Sequence, residues 1–274
     1  MFLTFNEKNK MKRVLMTFLA AVLLVTASTA QSLKFQSFAD SVGVKQKGVP
    51  ISSSVKVDFP VSGPSALVNA LKAAFSERYK IPVAQITDGK TFANKLANKN
   101  VADLKKKFVE DFDEDEMIPE LYINNTIEKL NETDKIVTIA YGGNIFYGGA
   151  HDDYYGYGIT YNKSTGKALD TYDILNEDAW EQIQDKIAAG LRKYFEVKTN
   201  KELADELSGE GIICDNNNFY IPMPEAIPFV NNGELIFAYG TYEIAPFAAG
   251  MPEVSIPLKE IMQHLKAEFK ELVK

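Results

Sequence analysis

Apolar and polar residues alternate through the middle of this chain, which is the pattern of a strand with two different faces. After Asp153, one predicted face carries Tyr155, Tyr157, Ile159 and Tyr161. The positions between them are Gly156, Gly158 and Thr160, and glycine leaves room for a neighbouring ring or backbone to approach closely. This stretch is therefore predicted to lie at the centre of a sheet.

Other segments on both sides of this stretch also have the period of a strand. Val55, Val57 and Phe59 alternate with polar residues until Pro60 ends the run, and residues 31–50 before it are predicted to be an extended lead-in. The sequence NNG at 231–233 is a strong hairpin signal, and residues 162–166 predict a second turn. Further strands are predicted at residues 121–127, 136–146, 219–222, 227–230, 234–239 and 254–257.

Helical periodicity separates these strands. A helix capped by Ser62 is predicted to place Leu67, Leu71, Phe75 and Tyr79 on one face. A second helix follows at residues 92–112, with a possible break at 98–100 and an acidic end near Glu110, where carboxylates are unfavourable. Later helices are predicted at residues 177–195, 200–207 and 258–272, the first with Trp180, Ile183, Ile187, Leu191 and Tyr194 as its apolar stripe.

The order of these elements indicates the fold class. Helices and antiparallel strands come in blocks rather than in strict alternation, which is typical of an α+β fold with an antiparallel sheet packed by helices. We predict a small N-terminal α+β domain at residues 31–135 and a larger C-terminal α+β domain at residues 136–274.

The first thirty residues have the composition of a signal peptide. Lys12 and Arg13 precede an apolar run at residues 14–25, and small residues at 28–30 form a cleavage site. The apolar run is too short for a membrane span. We therefore expect an exported protein, periplasmic or extracellular, without a transmembrane anchor.

Charge narrows the possible partners. The full chain has a formal net charge of −7, and removal of residues 1–30 leaves 26 Lys and Arg against 36 Asp and Glu, which is a net charge of −10. This balance argues against nucleic acid and favours a cationic partner. Part of the negative charge lies in residues 110–116, which lack the Gly and Glu positions of a calcium-binding EF-hand and are predicted to be a solvated loop.

The sequence contains few candidates for catalytic or metal-binding residues. His151, Asp152 and Asp153 are consecutive, but neighbours on an extended chain point to opposite sides, so only His151 and Asp153 can converge. Two ligands are too few for a closed zinc site, and we expect neither a metal nor a cofactor. We predict that His151 has a structural role, bonded to the backbone at the end of a sheet. Cys214, the only cysteine, excludes an intramolecular disulfide.

Two blocks resemble a known family. Residues 147–151 (YGGAH), followed by YN at 161–162 and TGK at 165–167, resemble the GGAH…TGK signature of a widespread bacterial exported domain. Residues 242–250 (YEIAPFAAG) and 254–257 (VSIP) resemble its closing block. The chain departs from the family pattern at Asp152, where Gly or Pro is usual, and at Phe247, where Tyr is usual.

The resemblance implies paired domains of unknown function, the second in a heat-shock-cognate C-terminal-like superfamily. Similar domains form the extracytoplasmic region of RsiV-like anti-sigma factors, which sense lysozyme, and accompany a peptidoglycan deacetylase domain in other proteins. The resemblance therefore implies an exported, non-catalytic recognition module that binds a cell-envelope component, such as a peptidoglycan fragment, or a lysozyme-like cationic protein. The alternative is an enzyme that acts on cell-wall glycan with Asp153 or Glu243 as a carboxylate catalyst.

Aromatic residues are the best binding candidates, because exposed rings stack on sugars and anchor protein interfaces. Tyr155, Tyr157 and Tyr161 either form such a surface or pack under the predicted helix at residues 177–195. The candidate binding residues are Tyr147, His151, Asp153, Tyr154, Glu243 and Phe247.

The predicted export signal has a direct test. We expect the mature chain to begin at Gln31, because Ser28 and Ala30 fit the small −3 and −1 positions of a cleavage site. N-terminal sequencing of the exported protein reads this position. A cytoplasmic product that retains a Met11 start would contradict the prediction.

Overall fold

A computed structural model describes residues 32–111, 119–209, 211–214 and 219–274. The predicted signal peptide and residues 112–116 of the acidic segment lie outside the described residues. The mixed α+β architecture predicted from the sequence is confirmed, with one five-stranded sheet, one three-stranded sheet and helices packed on both.

The larger sheet has the strand order β1-β2-β3-β4-β5. Its strands are β1 (Lys34–Gln46), β2 (Val49–Ser62), β3 (Leu121–Glu132), β4 (Ile136–Phe146) and β5 (Asp153–Asn162). All neighbours are antiparallel except β2 and β3, which are parallel. A parallel pair needs a long crossover, and two helices between β2 and β3 supply it.

The N-terminal segment differs from the prediction in two ways. The expected lead-in is a full strand, β1, because residues 47–48 turn with positive φ and pair it with the whole length of β2. Pro60 does not end β2, since it pairs with Phe35 near the edge of the sheet, where a missing N–H is tolerated.

Two helices cover one face of this sheet. They are α1 (Ser65–Tyr79), which begins after Pro64 rather than after the predicted Ser62, and α2 (Gly89–Asp111). The predicted stripe of α1 is buried, and it packs with Phe59, Phe92 and Tyr141.

The α2 helix continues through residues 98–100, where a break was possible. Asn100 explains this, because its buried amide donates to Ser53 Oγ at 3.0 Å and to Asn125 Oδ1 at 2.7 Å on the sheet. A polar residue inside the helix is thereby satisfied by tertiary contacts.

The C-terminal part contains the smaller sheet, with the order β10-β9-β8. The strands are β8 (Phe229–Asn231), β9 (Glu234–Ala238) and β10 (Glu253–Pro257), and the predicted hairpin turn at Asn232 and Gly233 has positive φ at both residues. A pair of two-residue strands, β6 (Ile213–Cys214) and β7 (Phe219–Tyr220), lies before it.

Short helices complete this part: α3 (Thr171–Ile174), α4 (Ala179–Gln182), α5 (Gln184–Tyr194), α6 (Asn200–Glu206), α7 (Leu258–Ile261) and α8 (Ala267–Val273). The closing helix predicted at residues 258–272 is divided in two, because a 3₁₀ turn at Met262–His264 and an extended Leu265 separate α7 from α8. Leu265 forms a bridge with Leu175, which holds the interruption in place. Trp180 and Phe237 lie in the core of this part.

The two sheets meet over β5. The ring of Phe229 lies directly above Gly158, where an added Cβ would come within 2.4 Å of the ring. Beside it, Thr138 Oγ1 donates to the Val230 carbonyl at 2.7 Å, and the Val230 N–H donates to Thr160 Oγ1 at 2.9 Å. The sequence predicted that a neighbouring ring would approach β5 closely at its glycines. At Gly158 this ring is Phe229 of the smaller sheet.

The predicted domain division falls between β3 and β4. These strands are hydrogen-bonded neighbours in one sheet, and the residues between them form its hairpin turn. The assignment of residues 31–135 and 136–274 to two domains stays a prediction.

Replacement of Gly158 tests the contact between the sheets. We expect Gly158→Ala to lower the free energy of unfolding by about 1–3 kcal/mol, because the new methyl group overpacks against Phe229. Gly149→Ala is the matched control, since a Cβ there meets nothing within 4 Å. Urea denaturation measures both, and equal stability of the two variants would contradict the packing argument.

Candidate functional site

Four rings form an exposed aromatic cluster at one end of β5: His151, Tyr154, Tyr242 and Phe247. The Phe247 ring stacks on the His151 ring with centroids 3.6 Å apart and an interplanar angle of 19°. Its centroid lies 5.5 Å from that of Tyr242 and 6.2 Å from that of Tyr154. Tyr242 is 61% exposed and Tyr154 is 46% exposed, so the cluster presents aromatic edges and faces to solvent.

Loop geometry holds these rings together. Phe247 begins a 3₁₀ turn, Phe247–Ala249, and Tyr194 Oη donates to the Ala249 carbonyl at 2.6 Å. Tyr242 has φ +65°, a left-handed conformation that side chains other than glycine rarely adopt. Next to it, the Glu243 carboxylate accepts the N–H of Gly240 at 2.6 Å and the N–H of Glu225 at 2.7 Å. Glu243 therefore fixes two loops with its two oxygens.

His151 is exposed, and its ring stacks on that of Phe247. Its Nδ1 lies 2.9 Å from the Asp152 carbonyl, and its Nε2 lies 3.4 Å from Tyr242 Oη. The structural role predicted for His151 stays a prediction. Tyr242 was absent from the predicted site. Within the described ranges, no three acidic, His or Cys side chains are grouped as metal ligands.

The predicted residues do not all converge. His151, Tyr154 and Phe247 share the aromatic cluster, and Glu243 supports it from the adjacent loop. Tyr147, 36% exposed, has Lys107 Nζ 4.9 Å from its ring centroid. Asp153 is exposed and pairs with Ile145 across the β4–β5 ladder.

Asp152 has a role that the sequence did not reveal, because it was set aside as a neighbour of His151 that points to the other side and was otherwise noted as a departure from the family pattern. Its Oδ2 accepts from Tyr122 Oη at 2.6 Å and from Asn144 Nδ2 at 2.7 Å. These hydrogen bonds, the one from Tyr122 first, hold the pKa of Asp152 below its usual value. The carboxylate thus connects the turn that carries His151 to β3 and β4. A contact between residues thirty positions apart leaves no local sequence signal.

A groove of about 430 Å³ adjoins the aromatic cluster and is called the acidic groove here. Tyr154, Ile227, Glu225 and Glu243 line it, and its floor includes the backbone of Gly156. A second groove, of about 330 Å³, lies further along the same sheet face between Glu128 and Glu253. Burial, and then the nearby charge of Glu234, raise the pKa of Glu253.

The predicted tyrosine-rich face lies on the other side of β5. Tyr161 is buried in the core with α1, and Tyr155 and Tyr157 pack against that core. The prediction that these rings pack under a helix is therefore correct, but the predicted helix is wrong. The rings are covered by α1 and not by the helix predicted at residues 177–195. The reason is the crossover between β2 and β3, which brings α1 onto this face.

The short hydrogen bonds of Asp152 have a consequence that depends on pH. A depressed carboxyl pKa stabilises the fold above the unfolded pKa of about 3.9, and this contribution is lost as pH falls through the folded pKa. We expect Asp152→Asn to reduce the free energy of unfolding by about 1 kcal/mol at neutral pH, with the difference disappearing once the pH falls below the folded pKa of Asp152. Urea denaturation at several pH values, with Asp153→Asn as the control for charge, measures this. A difference from wild type that stays constant down to pH 2 would rule out the carboxylate as its source.

A segment of the C-terminal part matches a known protein family. Residues 172–259 match the family described as "Protein of unknown function (DUF3298)". A crystal structure of a DUF3298 family member from Bacteroides fragilis superposes with a TM-score of 0.70 at 17% identity, covering 89% of this chain and 98% of that one. A DUF3298 family protein from Pseudomonas aeruginosa gives a TM-score of 0.56 at 15% identity, covering 86% of this chain and 96% of that one.

At these identities the likeness shows a shared fold alone. No curated protein matches the sequence. In the described part of the chain, every helix is too short or too polar to span a membrane. The chain thus has a segment, residues 172–259, that matches the DUF3298 family, within a fold that is also found in DUF3298 family proteins.

Proposed function

We propose that this chain is an exported, non-catalytic recognition module that binds a cationic, lysozyme-like protein through the aromatic cluster. The observation that carries the proposal is the aromatic cluster, in which the rings of His151, Tyr154 and Tyr242 surround Phe247. Aromatic side chains supply large contact areas at low entropic cost and are enriched among the residues that dominate binding energy. Export and the RsiV-like role rest on the signal-peptide pattern and on the family resemblance.

Charge supports a protein partner of basic character. The net charge of −10 expected for the mature chain speeds the encounter with a cationic protein. Glu225 in the acidic groove and Asp153 on β5 place carboxylates beside the rings. An aromatic centre with charged residues around it is the usual anatomy of a protein interface.

A peptidoglycan fragment is the second candidate, and the acidic groove favours it. Its volume of about 430 Å³ lies in the range of small-molecule sites. Tyr154 lines the groove and is exposed, so a sugar ring can stack on it.

Catalysis on glycan is the weakest of the three readings. Glycoside hydrolysis requires a pair of carboxyl groups poised across the scissile bond. Both oxygens of Glu243 accept backbone N–H groups, which favours a structural role for this residue. Asp153, the other candidate, is exposed on the surface of β5.

Salt dependence separates the two binding candidates. Surface plasmon resonance with a cationic lysozyme should show saturable binding whose association rate falls steeply once the Debye length drops below about 10 Å. A neutral muropeptide should bind with little dependence on salt. Tyr242→Ala should weaken lysozyme binding by about tenfold, as expected of an aromatic anchor.

A matched control distinguishes the cluster from exposed tyrosines in general. Tyr172 is 78% exposed and lies on α3, outside the aromatic cluster, so Tyr172→Ala should leave lysozyme binding unchanged. Equal effects of the two substitutions would indicate nonspecific attraction. Absence of saturable binding to both ligands at low salt would refute the proposed function.

A further inference from the structure

A third cavity, of about 390 Å³, lies on the helix-covered face of the larger sheet, where the end of α1 and the middle of α2 meet β3 and β5. It is called the cationic cavity here. Three basic residues line it, Arg78, Lys80 and Lys99, and the described lining includes no acidic residue. This concentration of positive charge contrasts with the net charge of −7 of the whole chain.

Arg78 is held by tyrosine rings. Its guanidinium carbon lies 4.6 Å from the ring centroid of Tyr157 and 5.0 Å from that of Tyr155, with Tyr141 at 5.4 Å and Tyr79 at 5.6 Å. Among the described residues it forms no ion pair, whereas Lys99 pairs with Asp103 at 2.5 Å. Cation–π contacts position a guanidinium while leaving its charge uncompensated by a carboxylate.

One hydroxyl group of the cavity, that of Tyr79, is buried without a hydrogen-bond partner among the described residues. Tyr79 is only 9% exposed, and its Oη forms no hydrogen bond within the part of the chain that the structure describes. Burial, followed by the neighbouring Tyr155, raises the pKa of Tyr79, so its hydroxyl stays protonated. Tyr155 Oη already accepts from Asn125 Nδ2 at 2.7 Å, which leaves its own proton to donate.

A buried network fixes the back of the cavity. Asn100 donates to Asn125 Oδ1, and Asn125 in turn donates to Tyr155. On the sheet, Gly143 leaves the space that the Tyr155 hydroxyl occupies, since a Cβ there would lie 2.9 Å from that oxygen. The donors are therefore held in place before any ligand arrives.

We propose that the cationic cavity binds a small molecule through an oxyanion, either a carboxylate or a phosphate group. Arg78 supplies planar N–H donors that match such groups, Lys80 adds positive charge, and the hydroxyls of Tyr79 and Tyr155 complete the donor set. An anionic acceptor satisfies the buried Tyr79 hydroxyl, which a cation or an apolar group does not. The inference does not depend on the proposed function, because Arg78, Tyr79 and Lys80 belong neither to the lining of the acidic groove nor to the aromatic cluster.

Calorimetric titration with three sugars tests the site and separates the two sources of charge. The probes are N-acetylmuramic acid, which carries a carboxylate, N-acetylglucosamine 6-phosphate, and neutral N-acetylglucosamine. We expect saturable binding of at least one anionic sugar and at least tenfold weaker binding of the neutral one. Preference between the two anionic sugars identifies the natural headgroup. Failure of both to bind, or equal binding of the neutral sugar, would overturn the proposal.

Three variants locate the binding. Arg78→Gln should weaken binding of the anionic sugar by about tenfold or more, since a charge-assisted hydrogen bond is lost. Tyr79→Phe should weaken it by about three- to tenfold with an unchanged melting temperature, because the removed hydroxyl has no protein partner. Lys72→Gln is the control: Lys72 also lies on α1 over an aromatic ring, that of Phe59, but does not line the cavity. Unchanged affinity in both Arg78→Gln and Tyr79→Phe would place the anion elsewhere and refute the proposal.

Discussion

The contact between Phe229 and Gly158 is the constraint on which the arrangement of the candidate sites depends. A single missing side chain on β5 lets the smaller sheet approach the larger one, and Thr138 and Thr160 then satisfy the backbone of Val230 at the same place. This approach positions the loops that follow β9, and with them Tyr242 and Phe247. The aromatic cluster therefore exists because two segments far apart in sequence, the end of β5 and the loop after β9, are brought together by packing at a glycine.

Two surfaces of opposite character meet at β5. Tyr154 lines the acidic groove, whereas Tyr155 lines both this groove and the cationic cavity. One strand thus contributes neighbouring tyrosines to two different environments. In the first, carboxylates accompany exposed rings, and in the second, a guanidinium is enclosed by rings. The negative net charge of the whole chain does not reveal that one of its cavities is lined by basic residues.

Local patterns predicted most elements of the fold, because the burial of a strand face or a helix stripe depends on spacing alone. The stripe of α1, the three strands from β3 to β5 and the hairpin at Asn232 and Gly233 all follow from such spacing. Properties set by distant partners were not predictable. The sequence indicated a helix break near Asn100, because the hydrogen bonds that satisfy its amide come from the sheet. It indicated an extended lead-in rather than the strand β1, because much of β1 is solvent-exposed. The candidate site follows the same rule: His151, Tyr242 and Phe247 lie in the blocks that resemble the family, whereas the contacts between their rings and the hydrogen bonds of Asp152 arise only in the assembled fold.

The left-handed backbone of Tyr242 implies a trade-off between stability and binding. A residue with a side chain costs on the order of 1 kcal/mol in this conformation, and glycine would avoid that cost. Glycine would also remove a ring of the aromatic cluster that is 61% exposed. The loop therefore keeps an unfavourable torsion angle at the position where its aromatic surface is largest, and the bonds from Glu243 to the backbone hold it there. Selection for thermal stability alone would therefore favour glycine at position 242. This replacement would remove part of the aromatic cluster while leaving the hydrophobic core unchanged.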